Sequence, residues 1–394
     1  MTSSYHLEDR NKNVPKLRFK GYNDEWKKIK LGEHLNICRG ASPRPIEKYI
    51  TVENNGVNWI KIGDISPKEN VIKSTKEKIT IDGAKHSRYV RKGDLILSNS
   101  MSFGRPYILE IDGCIHDGWL LIQDLEKLFD KKYLCYLLDS DTVKLQYRKY
   151  AAGGVVINLN SELVRSVSVF IPTLPEQEKI ASFLTLVDKK IEKQKELVEL
   201  LKKYKRGLLS AMFSQKLRFK DDKGNDYPTW EEKRLEEILK IKHGKSQKEI
   251  ECTNGKYPIL ATGGEIGRTN SCLWNKPCVL IGRKGTIDKP QYMETPFWTV
   301  DTLFYSEVFK DNNAKYLYYL FNTINWKKYD ESTGVPSLSA KTIERIKVTL
   351  SISYTEQTII SKNLSKFDDK IQQEECLLNY LQTYKKGLLQ QMFI

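Results

Sequence analysis

The sequence predicts an α+β protein in which two mixed α/β domains are joined by two long antiparallel helices forming a coiled coil, the whole being a pseudo-two-fold internal repeat. Three observations carry this. In the stretch 175–213, apolar residues fall at Ile180, Leu184, Val187, Ile191, Val198, Leu201 and Leu208. Steps of three and four mark a coiled-coil seam, which Gln194 and Lys205 interrupt. The stretch 355–393 repeats the seam at Ile360, Leu364, Phe367, Ile371, Leu378, Leu381 and Leu388, and Glu374 and Lys385 repeat the interruptions. Finally, Pro15-Lys16-Leu17-Arg18-Phe19-Lys20, followed by Trp26, returns as Lys216-Leu217-Arg218-Phe219-Lys220, followed by Trp230, so the duplication includes the domain entrances. A gapless repeat of this length marks an ancestral duplication.

Residues 1–14 read as a flexible leader: they are polar and lack the apolar run of a secretory signal. The first mixed domain is expected over 15–174 and the second over 214–354. Each runs from its entrance to a glycine loop, Cys38-Arg39-Gly40 and His243-Gly244-Lys245. β-rich runs follow, Asp94–Ser98 and Cys278–Gly282, then Tyr/Leu-rich helices over Lys131–Lys149 and Lys315–Tyr329. After a glycine turn at Gly153-Gly154-Val155 or Gly334-Val335-Pro336, closing strands are expected at Val167–Pro172 and Ile346–Ile352. The long helices occupy 175–213 and 355–394. A helix of about 36 residues spans about 54 Å, more than one DNA turn of about 34 Å. Between the shared landmarks the two domains differ in sequence, the pattern of two modules doing one job on different targets.

The 394 residues support two or three domains. A formal charge of +15 points to a polyanionic partner, most simply nucleic acid, or else to a lysine-rich surface. The seven cysteines form no C-x-x-C and read as free thiols of a reducing compartment. No apolar run is long enough to cross a bilayer, and a cytoplasmic protein is expected.

The arrangement resembles the specificity subunit of type I restriction–modification enzymes, from Pro15 to Phe393. The resemblance is most specific at Val279-Leu280-Ile281-Gly282-Arg283-Lys284-Gly285-Thr286-Ile287 and Pro296-Phe297-Trp298-Thr299-Val300-Asp301-Thr302. Gly93–Ser98, Gly104 and His116-Asp117-Gly118 are similar in the first half, which lacks the R-K-G-T match. The resemblance implies two target-recognition domains, each reading half of a bipartite, asymmetric double-stranded DNA site. It implies that the helices set the half-site spacing and dock two modification (methyltransferase) subunits that use S-adenosylmethionine to methylate adenine. Restriction (motor and nuclease) subunits, with ATP and Mg, would complete the complex. No cofactor is expected in this chain itself.

Arg283 and Lys284, in a glycine-bounded loop after a strand, are the leading DNA-contact candidates, since arginine can take a guanine edge bidentately and either residue can hold phosphate. Lys245, Arg268 and Lys289 join them in the second half, and Arg39, Arg44, Asn99 and Arg105 in the first. Trp298, Asp301 and Asp117 read as buried structural residues, with a carboxylate also able to brace a DNA-contacting arginine. Leu209, Met212, Phe213 and their repeats Leu389, Met392, Phe393 read as exposed apolar ends suited to partner docking.

Catalysis finds little support. A phosphate loop ending in Gly244-Lys245-Ser246 would need glycine where Leu239 stands, and no Pro-Pro is present for an adenine methyltransferase motif. Glu25-x-Lys27 and Glu231-x-Lys233 match half of a nuclease pattern, but at the domain entrances. The five dispersed histidines offer no triad or metal cluster. A protein-assembly scaffold on a duplicated coiled coil is the rival reading, separable by salt-dependent, sequence-selective DNA binding.

Overall fold

The computed structural model describes residues 13–64, 70–99, 104–151 and 159–394. Nearly all of the expected leader, and the turn at Gly153-Gly154-Val155, lie outside the described residues. The chain forms two compact units, one reaching to Lys193 and including Leu378–Ile394, the other Gln194–Leu377. This division cuts both long helices, Leu174–Phe213 and Tyr354–Met392. Each unit therefore holds one mixed domain, the beginning of the long helix that follows it, and the end of the other long helix.

In the first unit the entrance strand Lys27–Lys30 pairs antiparallel with the closing strand Ser168–Ile171. A five-stranded sheet runs in the order Leu35–Arg39, Trp119–Asp124, Leu95–Ser98, Pro106–Leu109, Val71–Ile72. A second sheet orders Ile50–Thr51, Glu77–Ile79, Val57–Ile60, Gly113–Ile115 and Arg88–Val90. The helix expected over Lys131–Lys149 is two helices, Lys131–Asp139 and Asp141–Ala151. Ser140 adopts an extended ψ of 152°, and its hydroxyl accepts a hydrogen bond from Val143 N, capping the second helix. Tyr133, Leu137 and Tyr147 pack with Ile180, Leu184, Leu388, Met392 and Phe393 in one core.

The second unit repeats the frame. Glu231–Arg234 pairs with Lys347–Leu350. The four-stranded sheet Leu239–Lys242, Leu303–Val308, Cys278–Gly282, Gln291–Met293 matches four strands of the first sheet in order and direction. A three-stranded sheet of Gly264–Thr269, Tyr257–Ala261 and Trp298–Thr299 completes it. The expected second helix is the α-helix Ala314–Phe321 followed by a 3-10 turn, Trp326–Tyr329.

Corresponding Glu-Gln sockets seat the two helix starts. Glu176 receives Arg18 through two bonds of 2.8 Å, and Glu356 receives Arg218 and the indole of Trp230. Gln177 accepts from Asp130 N at 3.0 Å, and Gln357 from Asn313 N at 2.7 Å. Burial requires that these polar groups be paired, which explains why the Glu-Gln dipeptide recurs. The helices run antiparallel: in the second unit Lys202 meets Glu375 and Lys205 meets Asp368, and in the first Lys385 meets Asp188. Leu217 N donates to Ala211 O at 3.1 Å within the continuous chain of the second unit; in the first, Leu17 N donates to Gln391 O at 2.9 Å.

Candidate nucleic-acid interface

The wholly buried strand Cys278–Gly282 ends where the chain must turn sharply. A Cβ on Gly282 would lie 2.2 Å from the Thr286 carbonyl, and Gly285 has φ +86°, so both positions need glycine. Arg283 N donates to Thr302 O at 2.8 Å, and Leu338 N donates to Arg283 O at 2.9 Å. With its backbone held on both sides, Arg283 presents its side chain at the sheet end, where Nη1 is paired with the Asp301 carboxylate. Asp301 is 67% exposed, and a pair this accessible adds little stability. Its effect is orientation: it fixes one edge of the guanidinium, while Nε and Nη2 have no partner among the described residues. Beside it, His243, Arg283, Lys284, Glu331, Ser339 and Lys341 line an open cavity of about 420 Å³. Sequence reading singled out Arg283 and Lys284 but not His243 or Lys341, which only the fold brings to them.

The first unit builds the same corner from different residues. Trp119 lies opposite Ser98 as Leu303 lies opposite Gly282, which makes Asn99 the counterpart of Arg283 and Asp117 that of Asp301. Asn99 N donates to Gly118 O, and Leu159 N donates to Asn99 O, as in the second unit. Yet Asn99 is 6% exposed, and its amide donates to the Asp117 carbonyl at 2.9 Å. In this structure the side chain is used to hold the loop. Arg39 Nε donates to the same carbonyl at 2.9 Å, and Arg44, 82% exposed, stands 3.6 Å from the Asp117 carboxylate. Asp117 and Asp301 thus each brace arginine at the surface, and neither is buried as expected. His116, next to Asp117, has its pKa lowered by burial.

The remaining candidates separate clearly. Lys245, Lys284 and Lys289 are exposed, with no side-chain partner among the described residues. Arg268 donates to the carbonyls of Gly255 and Lys256 and so braces its own hairpin. Arg105, half-buried, donates to Asn70 Oδ1 at 2.7 Å and lies over the Tyr107 ring. The supposed docking ends are corrected too. Met212, Met392 and Phe393 are each 2% exposed, and Leu209, Phe213 and Leu389 pack against the same cores. The reason is the antiparallel pairing, which folds each helix end under a mixed domain. Exposed apolar residues lie further back, at Leu200 and Tyr204 on the first helix and at their repeats Tyr380 and Tyr384 on the second. They lie off the heptad positions of the seam, although the Tyr204 ring still reaches seam residue Phe367 at 5.4 Å between centroids. Among the described residues no helix is long and apolar enough to cross a membrane, and no group of His, Cys, Asp and Glu could hold a metal.

Two copies of one sheet frame, each ending in an aspartate-braced arginine corner, mark the chain as an internal duplication. The family model for the type I restriction modification DNA specificity domain matches residues 23–202 and 227–383, and the chain belongs to that family. Membership favours DNA specificity over the scaffold reading. The MjaIX type I specificity subunit of Methanocaldococcus jannaschii (strain ATCC 43067 / DSM 2661 / JAL-1 / JCM 10045 / NBRC 100440) is 26% identical over 250 residues, 60% of this chain and 57% of that protein. The MjaVIII subunit of the same strain is 23% identical over 59% of this chain and 53% of its own length, so the match spans little more than half of these relatives. The EcoprrI specificity subunit of Escherichia coli is 20% identical over 88% of each chain. Among solved structures, the type I restriction–modification S subunit from M. genitalium shares the fold, with a TM-score of 0.62 and 19% identity over 97% of this chain and 99% of that one. A chain from a study of complex assembly and conformational transition of the type I R-M system gives 0.58 and 15%, over 92% of this chain and 96% of that one.

Proposed function

We propose that this chain is the DNA sequence-recognition subunit of a type I restriction–modification complex. The observation that carries the reading is the duplicated corner, with Arg283 braced by Asp301 and Arg39 and Arg44 gathered on Asp117. Each domain reads one half of a bipartite, asymmetric site. Arg283 takes a base edge and Lys284 a phosphate, with Lys245 and Lys289 adding phosphate contacts; Arg39 and Arg44 act in the first domain. The net charge of +15 suits a polyanion.

The chain has no catalytic role in this reading. Methylation, with S-adenosylmethionine, belongs to two modification subunits, and ATP- and Mg-dependent translocation and cleavage to restriction subunits, in the cytoplasm. The paired exposed stripes, Leu200 with Tyr204 and Tyr380 with Tyr384, supply two equivalent faces for two copies of one partner. The test is to map methylated adenines in DNA exposed to the assembled complex. Methylation at one bipartite sequence with a constant spacer is expected; methylation without sequence preference overturns the reading.

A further inference from the structure

The helix Lys131–Asp139 is fastened to the long helices at two points. At its start, Asp130 N donates to Gln177 at 3.0 Å. Nearly two turns on, the Tyr136 hydroxyl donates to Asp188 Oδ2 at 2.7 Å. The other Asp188 oxygen is 2.5 Å from Lys385 Nζ, which also lies 5.4 Å from the Tyr136 ring centroid. One carboxylate thus joins the recognition domain, the helix that leaves it, and the end of the other long helix.

The second unit repeats every part. Asn313 N donates to Gln357 at 2.7 Å, Tyr319 to Asp368 at 2.5 Å, and Lys205 pairs with Asp368 and lies 5.2 Å from the Tyr319 ring. Apolar residues would pack these positions with less desolvation cost, and the two domains have diverged widely elsewhere. Two fastenings along one helix prevent a pivot, and the lysine from the second helix opposes roll about the first. Burial pushes the Tyr136 and Tyr319 hydroxyls well above the ordinary range, so both remain donors.

We propose that Asp188 and Asp368, with Tyr136–Lys385 and Tyr319–Lys205, are positioning residues that hold each recognition domain at one angle on the helix pair and so restrict the complex to one spacer length. The inference rests on the DNA-recognition reading. The experiment compares wild type, Tyr136→Phe, Asp188→Asn and Tyr319→Phe in the full complex by mapping methylated sites. Each variant should keep the wild-type half-site bases. Methylation at sites one base pair shorter or longer should rise on the order of tenfold relative to the original spacer. A stabilising contact alone would lower the melting temperature and leave the spacer distribution unchanged, and that result in the folded variants overturns the proposal. Tyr136→Phe and Tyr319→Phe retain the ring and its packing, so they decide the matter if Asp188→Asn fails to fold. A wild-type complex that methylates no bipartite site overturns both the recognition reading and this inference, whereas an unchanged spacer in the variants overturns this inference alone.

Discussion

Gln194 and Glu374, which interrupt the apolar seam at the same place in the two long helices, are bonded to each other. Gln194 Nε2 donates to the Glu374 carboxylate at 2.5 Å and to its backbone carbonyl at 3.1 Å. The duplicated positions have diverged into a complementary pair. Two copies of the second helix would oppose glutamate to glutamate, so for that helix the pair favours the partner within this chain over a second copy of itself.

The pair has a pH signature. Lys370, 2.6 Å from Glu374, and then Gln194 hold the Glu374 carboxyl below its ordinary value of 4.5. The folded state therefore binds this proton less readily than the unfolded state. The associated stability is present above pH 4.5 and is lost as pH falls through the lowered folded value. Glu374→Gln should be less stable than wild type at pH 7, and the gap should close in strong acid. Urea midpoints across that range check it.

For DNA, Arg283→Ala should weaken specific binding by about 1–3 kcal/mol if the residue reads a base edge. Lys284→Ala should weaken binding to all sequences and flatten the salt dependence. Asn99→Ala should cost about 1–2 kcal/mol of stability for one lost buried hydrogen bond while leaving base preference unchanged. Binding titrations at several salt concentrations, with denaturation of each variant, separate the three.

The helix ends and the exposed stripe should respond oppositely. Phe393 is 2% exposed, and its ring centroid lies 5.5 Å from that of Tyr133. Phe393→Ala should destabilise the protein by about 3–5 kcal/mol through loss of buried surface and the cavity left. Tyr384→Ala, at a 45% exposed position, should leave stability near wild type and weaken binding of the modification subunit. Thermal melts and native mass measurements of the complex read both effects.

If the helices measure the site, one heptad added to each, beside Gln194 and Glu374, keeps the seam in register and lengthens both by about 10 Å. The spacer should grow by about three base pairs at roughly 3.4 Å each, with half-site bases unchanged. Genome-wide mapping of methylation reads the spacer directly; an active complex retaining the original spacer would count against the ruler.

The long helices were legible because a seam is local and periodic, and the duplication displayed it twice. Gln194 and Glu374 stood out as shared interruptions, but the Asp188 and Asp368 partners of Lys385 and Lys205 depend on antiparallel register. Periodicity carried one helix through Ser140, where a single hydroxyl cap starts another. Asn99 read as a DNA-contact candidate because nothing near it in sequence shows that the Asp117 carbonyl waits across the sheet. His243 and Lys341 were missed because they are remote in sequence from the Arg283 loop they adjoin.

The bond from Leu17 to the Gln391 carbonyl has an exact counterpart in kind, from Leu217 to Ala211, where the chain is continuous. The second unit thus joins covalently what the first joins by a hydrogen bond. A short linker after Ile394 could bridge the first junction, and the chain could instead be opened at the turn around Gly224, with φ +82°, without breaking either arginine–glutamate socket. Such a circular permutant would preserve every contact named above. The order in which the gene writes the two halves is then a matter of ancestry, not of mechanics.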